Sequence, residues 1–358
     1  MPKKILFASD THLHPTIWDD LPQVWGDAYR AFDQLCLRAV EDEDITSVFL
    51  GGDVFDRQPE SCAMECFLRN MDRLQDVNKP VFAIQGQHGK VRTRGRDDVV
   101  PWPSVHGWVK QMSHKPFGLL PKVKAVGIDH CGPDDLQKKL SRISKQAAVV
   151  FMHQMIKGGV PLIKDVQNWD FDPEWLPESV KLVLAGDLHV PAEFNIPGGK
   201  LVYNGATVLR SIDEPEEKYF TVVSEELTFE RVRINSRVFK RASVFAEKAL
   251  QQAMEATSKM PPESVLEVKY DPRIDGVEQK LRDANEAIHF RFVPVPTVGV
   301  VVGEGELELP DNVSPEGFLD EFVDREQRPV LHSFLFQMIT AQNERDELER
   351  QRMEILGE

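Results

Sequence analysis

Apolar and polar positions along this chain alternate between two patterns. Short apolar runs rich in β-branched residues stop abruptly at a polar residue: "KILFAS", "SVFLGG", "PVFAIQG", "AAVVFMH" and "KLVLAGD". Runs of this length read as strands, and their continuous apolar character implies cover on both faces. Between them, "AYRAFDQLCLRAV" and the segment Ser61 to Leu74 repeat apolar residues at three- and four-residue spacing. That spacing predicts helices with one buried stripe. "KLVYNGA" and "KYFTVVSEELTFERVRI" read as antiparallel strands that close the unit. The pattern predicts an α/β fold with a mixed sheet over residues 1–238.

A break follows. The helical pattern "VFAEKALQQAMEAT" leads into "KMPPES", then "SVLEVKYD", a helix from Gly276 to Glu286, and "AIHFRFVPVP". This predicts a small α+β domain over 239–308. "GVVVGEGELELPDNVSP" reads as a linker, with Ser314 and Pro315 suited to the N-cap and N1 positions of a helix. The last segment, 309–358, predicts two helices, about 315–325 and 329–355, the second apolar first and then heavily charged.

Composition narrows the classes. The 358 residues are 41% hydrophobic and 28% charged, as in ordinary globular proteins. No run of about 18 apolar residues is present, so no membrane span is expected. The N-terminus enters a strand directly, without the apolar stretch of a signal peptide. Cys36, Cys62, Cys66 and Cys131 lack the paired spacing of a structural zinc site and fit a reducing cytoplasm. Against a formal net charge of −15, Lys90, Arg92, Arg94 and Arg96 stand out in "AIQGQHGKVRTRGR". A basic loop beside a strand-end histidine suits a phosphate-bearing substrate, so these four are candidates to grip its phosphates.

Five predicted strands end in potential ligands. The first ends in Asp10 and His12, the second in Asp53 and Asp56, the third in Gln87 and His88. Later ones end in His153 and in Asp187 and His189. In an open α/β sheet the carboxyl ends of the strands line one crevice. Imidazole mixed with carboxylate suits Mn²⁺, Fe²⁺ or Zn²⁺ better than Ca²⁺. Two metals about 3.5–4 Å apart can activate water for in-line attack on phosphorus. Asp53 is the natural bridging carboxylate. His88, if not a ligand, can protonate the leaving group.

This succession resembles the calcineurin-like metallophosphoesterases (D-x-H, G-D-x-x-D, G-N-H, H, G-H-x-H) and is most similar to the SbcD-type nuclease subunit. "GGDVFDRQPES" and "YNGATVLRSIDEPEEKYFTVV" select that group. The resemblance implies a mixed β-sandwich flanked by helices, a capping domain at 239–308 that contacts DNA, and C-terminal helices at 309–358 that dock a partner. It implies that Asp10, His12, Asp53 and His189 hold one metal. Asp53, Gln87, His153 and Asp187 would surround a second. His88 would be the catalytic acid, with Asp56 supporting it. It further implies Mn²⁺ first and Mg²⁺ second as cofactor, duplex DNA as substrate, a homodimer and an SbcC-like coiled-coil ATPase. This sequence has no phosphate-loop motif of its own, so the ATPase would be another chain.

Three positions depart from the family pattern. Gln87 stands where the family has Asn, Gly89 where it has Asp, and Asp187 where it has His. Gln87 and Asp187 fall on the second metal. Either the two oxygen donors compensate and favour a harder cation, or that metal binds weakly. Three functions follow: a Mn²⁺-dependent exonuclease with endonuclease capacity, a phosphodiesterase or phosphatase on a smaller or phosphoprotein substrate, and a weakly catalytic scaffold binding DNA ends or the ATPase.

Overall fold

The computed structural model describes residues 2–14, 21–56, 59–88, 107–112, 114–143, 145–157, 170–211 and 214–295. Within them, two six-stranded sheets face each other. The first contains β1 (Lys4–Ala8), β2 (Ile45–Leu50), β3 (Val81–Ala83), β4 (Val109–Gln111), β11 (Lys218–Ser224) and β12 (Phe229–Ile234). Its order is β12-β11-β1-β2-β3-β4. β1 to β4 are parallel, while β11 runs antiparallel to β1 and forms a hairpin with β12.

The second sheet contains β5 (Phe117–Leu120), β6 (Val123–Ile128), β7 (Ala147–His153), β8 (Leu182–Gly186), β9 (Ala192–Ile196) and β10 (Gly199–Tyr203). Its order is β5-β6-β7-β8-β10-β9. β10, expected to be antiparallel, runs parallel to β8 and antiparallel only to the edge strand β9. Its apolar run reports burial; its direction is set by its neighbours.

The reason for continuous apolar strands is now visible. The inner faces of the two sheets meet through Ile5, Phe7, Phe49, Ile84, Val149, Phe151, Leu184 and Val202. Phe49 of β2 and Phe151 of β7 stack across the interface with centroids 4.5 Å apart and planes 7° from parallel. Helices Asp27–Glu41 and Ser61–Asp76 cover the outer face of the first sheet through Phe32, Leu35, Phe67 and Leu74. Helix Pro133–Ser141 covers the second through Leu136 and Leu140. Trp108 packs half-buried against the first of these outer cores.

A third, parallel sheet runs in the order β13 (Phe239–Val244), β14 (Val265–Tyr270) and β15 (His289–Pro294). Helices Glu247–Thr257 and Val277–Ala284 pack on one of its faces around Val244, Leu250, Val268 and Leu281. Phe239 and Val265 instead join Leu21, Val24 and Leu209. The side chain of Arg237, 4% exposed, reaches Asp27 at 2.8 Å and also meets Glu263. Both predicted C-terminal helices, the linker and the basic residues 90, 92, 94 and 96 lie outside the described residues. No helix among the described residues is long and apolar enough to cross a membrane.

Candidate metal centre

The carboxyl ends of β1, β2, β3, β7 and β8 share one edge of the two facing sheets. β1, β2 and β8 turn sharply there. Asp10, His12, Asp53 and Asp187 all adopt positive φ, at 54°, 41°, 46° and 91°. Left-handed backbone costs a non-glycine residue about 1–3 kcal/mol, and such strain concentrates at functional sites. Two glycines make the approach feasible. A Cβ on Gly86 would lie 2.0 Å from Asp53 Oδ1, and one on Gly52 would lie 2.3 Å from His153 Nδ1.

Two donor groups result, one of Asp10, His12 and His189, the other of Asp10, Asp53 and His153. Asp10 is common to both. His12 Nε2 and His189 Nε2 face each other at 3.1 Å. Asp10 Oδ1 lies 4.0 Å from the first, 3.7 Å from the second and 3.8 Å from His153 Nε2. Asp53 Oδ2 lies 3.3 Å from His153 Nε2. The backbone N–H of Asp187 donates to both oxygens of Asp10 at 3.2 Å, and that of His88 donates to Asp53 Oδ1 at 2.9 Å.

The chemistry of these donors fits a divalent cation. Asp53 Oδ2 and His153 Nε2 are buried and have no hydrogen-bond partner among the described residues. They face each other at 3.3 Å as an ion pair without hydrogen-bond geometry, a buried polar pair that a bound cation would satisfy more fully. His153 Nδ1 donates to Gly51 O at 2.7 Å, which turns Nε2 into the site. His189 Nδ1 does the same toward Glu214 Oε1 at 2.8 Å. Once both rings are neutral, their two Nε2 atoms present lone pairs inward beside two buried carboxylates, a mixed set suited to first-row transition metals.

Electrostatics agrees. Burial pushes the His153 ring toward neutrality, but Asp10 and then Asp53 outweigh it and raise its pKa to about 10. Burial likewise opposes charge on Asp53, yet His153 holds its carboxyl well below the usual range. Burial lowers His12 to about 4 and raises Asp187 to about 6. The raised His153 and His189 rings thus offset crowded carboxylates where a cation would do so more fully.

The remaining predicted residues sit around this centre. Gln87 Nε2 donates to Asp187 Oδ1 at 2.7 Å. The side chain of His88 is 38% exposed, with Nε2 3.7 Å from Asp53 Oδ2 and Nδ1 3.0 Å from Asp56 O. Asp56 Oδ1 lies 3.4 Å from His12 Nδ1 and 2.6 Å from the Arg210 guanidinium. Sequence reasoning gives no role to Arg210, Glu214 or Lys218. They lie in the segment "LRSIDEPEEK", whose pattern is visible in the sequence while their spatial neighbours are not.

Comparison with known proteins agrees with the geometry. Residues 3–191 match the calcineurin-like phosphoesterase family. The chain is 26% identical over 208 residues to the DNA double-strand break repair protein Mre11 of Sulfolobus acidocaldarius, covering 56% of this chain and 53% of that protein. It is 26% identical over 314 residues to the protein of the same name from Haloferax volcanii, covering 86% of this chain and 63% of that one. The chain therefore spans less than two thirds of the length of either relative. Among solved structures, TT1561 of Thermus thermophilus superposes with a TM-score of 0.41 at 12% identity, over 65% of this chain and 99% of that one. That superposition is too loose to argue from. The family match extends over more than half of the sequence and takes in every strand end that feeds the donor groups: the chain belongs to the calcineurin-like phosphoesterases.

Proposed function

We propose that this chain is the nuclease subunit of an SbcCD-like DNA end-processing complex, hydrolysing phosphodiester bonds with two divalent metals. Mn²⁺ is the favoured ion and Mg²⁺ the second. The observation that carries the reading is the convergence of Asp10, His12, Asp53, His153 and His189 on two donor groups with orphaned buried atoms. DNA as substrate is supported by the names of the relatives, DNA double-strand break repair proteins.

In this reading Asp10, His12, Asp53 and His189 hold one metal, and Asp53, His153, Asp187 and Gln87 surround the other. When bound, the metals supply an activated water and charge neutralisation at phosphorus. The protein's own groups do the rest. Asp10 and Asp53 are oriented by backbone N–H groups. His88 stands at the exposed rim, its Nδ1 donating to Asp56 O. It can deliver a proton to the departing 3′ or 5′ oxygen. Asp56 lies between His88, His12 and Arg210 and orients the rim.

The larger assembly is part of the same proposal. Residues 239–308 would cap the site and contact DNA, with Lys90, Arg92, Arg94 and Arg96 gripping flanking phosphates. Residues 309–358 would dock an SbcC-like ATPase, and the chain would act as a homodimer in the cytoplasm. One observation favours a second reading, a weakly catalytic scaffold: the Gln87 hydrogen bond already occupies one Asp187 oxygen. Degradation of linear duplex DNA in Mn²⁺, with His88→Ala as the control, separates the two.

A further inference from the structure

The described residues between Arg210 and Lys218 contribute nothing to either donor group, yet Arg210 and Glu214 meet the site from outside. We propose that Glu214 is a positioning residue for His189, fixing which ring nitrogen faces the cation, and that Lys218 holds Glu214 in place. This rests on the metal reading above.

Every oxygen of Glu214 is engaged. Oε1 accepts from His189 Nδ1 at 2.8 Å. Oε2 accepts from Lys218 Nζ at 2.7 Å and from the backbone N–H of Arg210 at 3.2 Å. The Glu214 side chain is 11% exposed and that of Lys218 only 1%. A buried carboxylate–ammonium pair returns little net stability once desolvation is counted, so fold stability alone does not account for it. Its position does. A proton held on Nδ1 by Glu214 leaves the Nε2 lone pair directed inward, 3.7 Å from Asp10 Oδ1 and 3.1 Å from His12 Nε2. A carboxylate acceptor also raises the donor strength of the ring.

The contrast with His153 is informative. Its Nδ1 is held by a neutral backbone carbonyl, Gly51 O. His189 therefore depends on a side chain for its orientation, and that side chain lies 25 residues further along the sequence. Lys218, at the start of β11, ties this arrangement to the first sheet.

The test uses the full chain titrated with Mn²⁺, free Mn²⁺ being read by electron paramagnetic resonance. Glu214→Gln should raise the dissociation constant of one Mn²⁺ equivalent by about 10–100-fold and leave any other equivalent and the circular dichroism spectrum unchanged. Lys218→Met should act in the same direction. Should Glu214→Gln fail to fold, Glu214→Asp carries the test, because it keeps the charge but withdraws the carboxylate by one methylene; it should weaken the same single equivalent. A folded Glu214→Gln with unaltered affinity overturns this inference and leaves the metal reading standing. Weakening of all equivalents in step with loss of the folded spectrum makes Glu214 merely structural and overturns it too. Absence of Mn²⁺ binding by the wild type overturns both.

Discussion

Gln87 and Asp187, a hundred residues apart in sequence, are joined by a 2.7 Å hydrogen bond from the Gln87 amide to Asp187 Oδ1. These are two of the positions at which the sequence departs from the motif pattern it resembles. The longer amide reaches the shorter acid, so the two departures form one physical unit. Compared with the His12 and His189 side of the centre, this side is rich in oxygen and has one imidazole, His153.

Oxygen donors favour harder cations. We expect the chain equilibrated with equimolar Zn²⁺ and Mn²⁺ to retain one of each, and Gln87→Asn/Asp187→His to retain two Zn²⁺. Metal content by mass spectrometry after gel filtration decides it. Two Zn²⁺ on the wild type would contradict the expectation.

Metal binding should release protons. In the metal-free chain His153 is raised to about 10 against a usual 6.5 by Asp10 and Asp53, in spite of burial. Its charged form stabilises the metal-free fold fully below about pH 6.5, and that contribution is lost as pH rises toward 10. A cation needs the neutral ring. Apparent Mn²⁺ affinity should therefore rise with pH between about 6.5 and 9, by up to about tenfold per unit. Calorimetry in buffers of differing ionisation enthalpy should count about one proton released; none released would refute the assignment of His153.

Arg237 pins the third sheet to helix Asp27–Glu41 through Asp27 and the backbone carbonyl of Gln23. Its side chain is nearly inaccessible. Arg237→Ala leaves Asp27 with Arg30 alone and should destabilise the fold by about 1–2 kcal/mol, read as a lower midpoint of urea unfolding. An unchanged midpoint would show that the pair contributes nothing.

Much of this fold is legible because buried parallel strands write themselves as continuous apolar runs. β1, β2, β7 and β8 all fall on such runs, and each stops where the chain turns into the site. The edge strand β9, "AEFNI", alternates half-buried and exposed positions and offers no run to find. β4 and β5 are three and four residues long, too short to stand out. The direction of β10 is a property of its neighbours β8 and β9, which no local pattern encodes. Glu214 and Lys218 escape for a similar reason. A lysine at the start of a strand and next to several glutamates gives no sign in the sequence of its burial.

The central claim is metal-dependent hydrolysis of DNA with His88 as the proton donor. The direct measurement is degradation of end-labelled linear duplex DNA in Mn²⁺ by the wild type and by His88→Ala. The expected result is degradation by the wild type and a loss of about 10²–10⁴-fold in the variant, with folding and Mn²⁺ binding unchanged. No degradation by either protein, with an SbcC-like ATPase supplied, would contradict it.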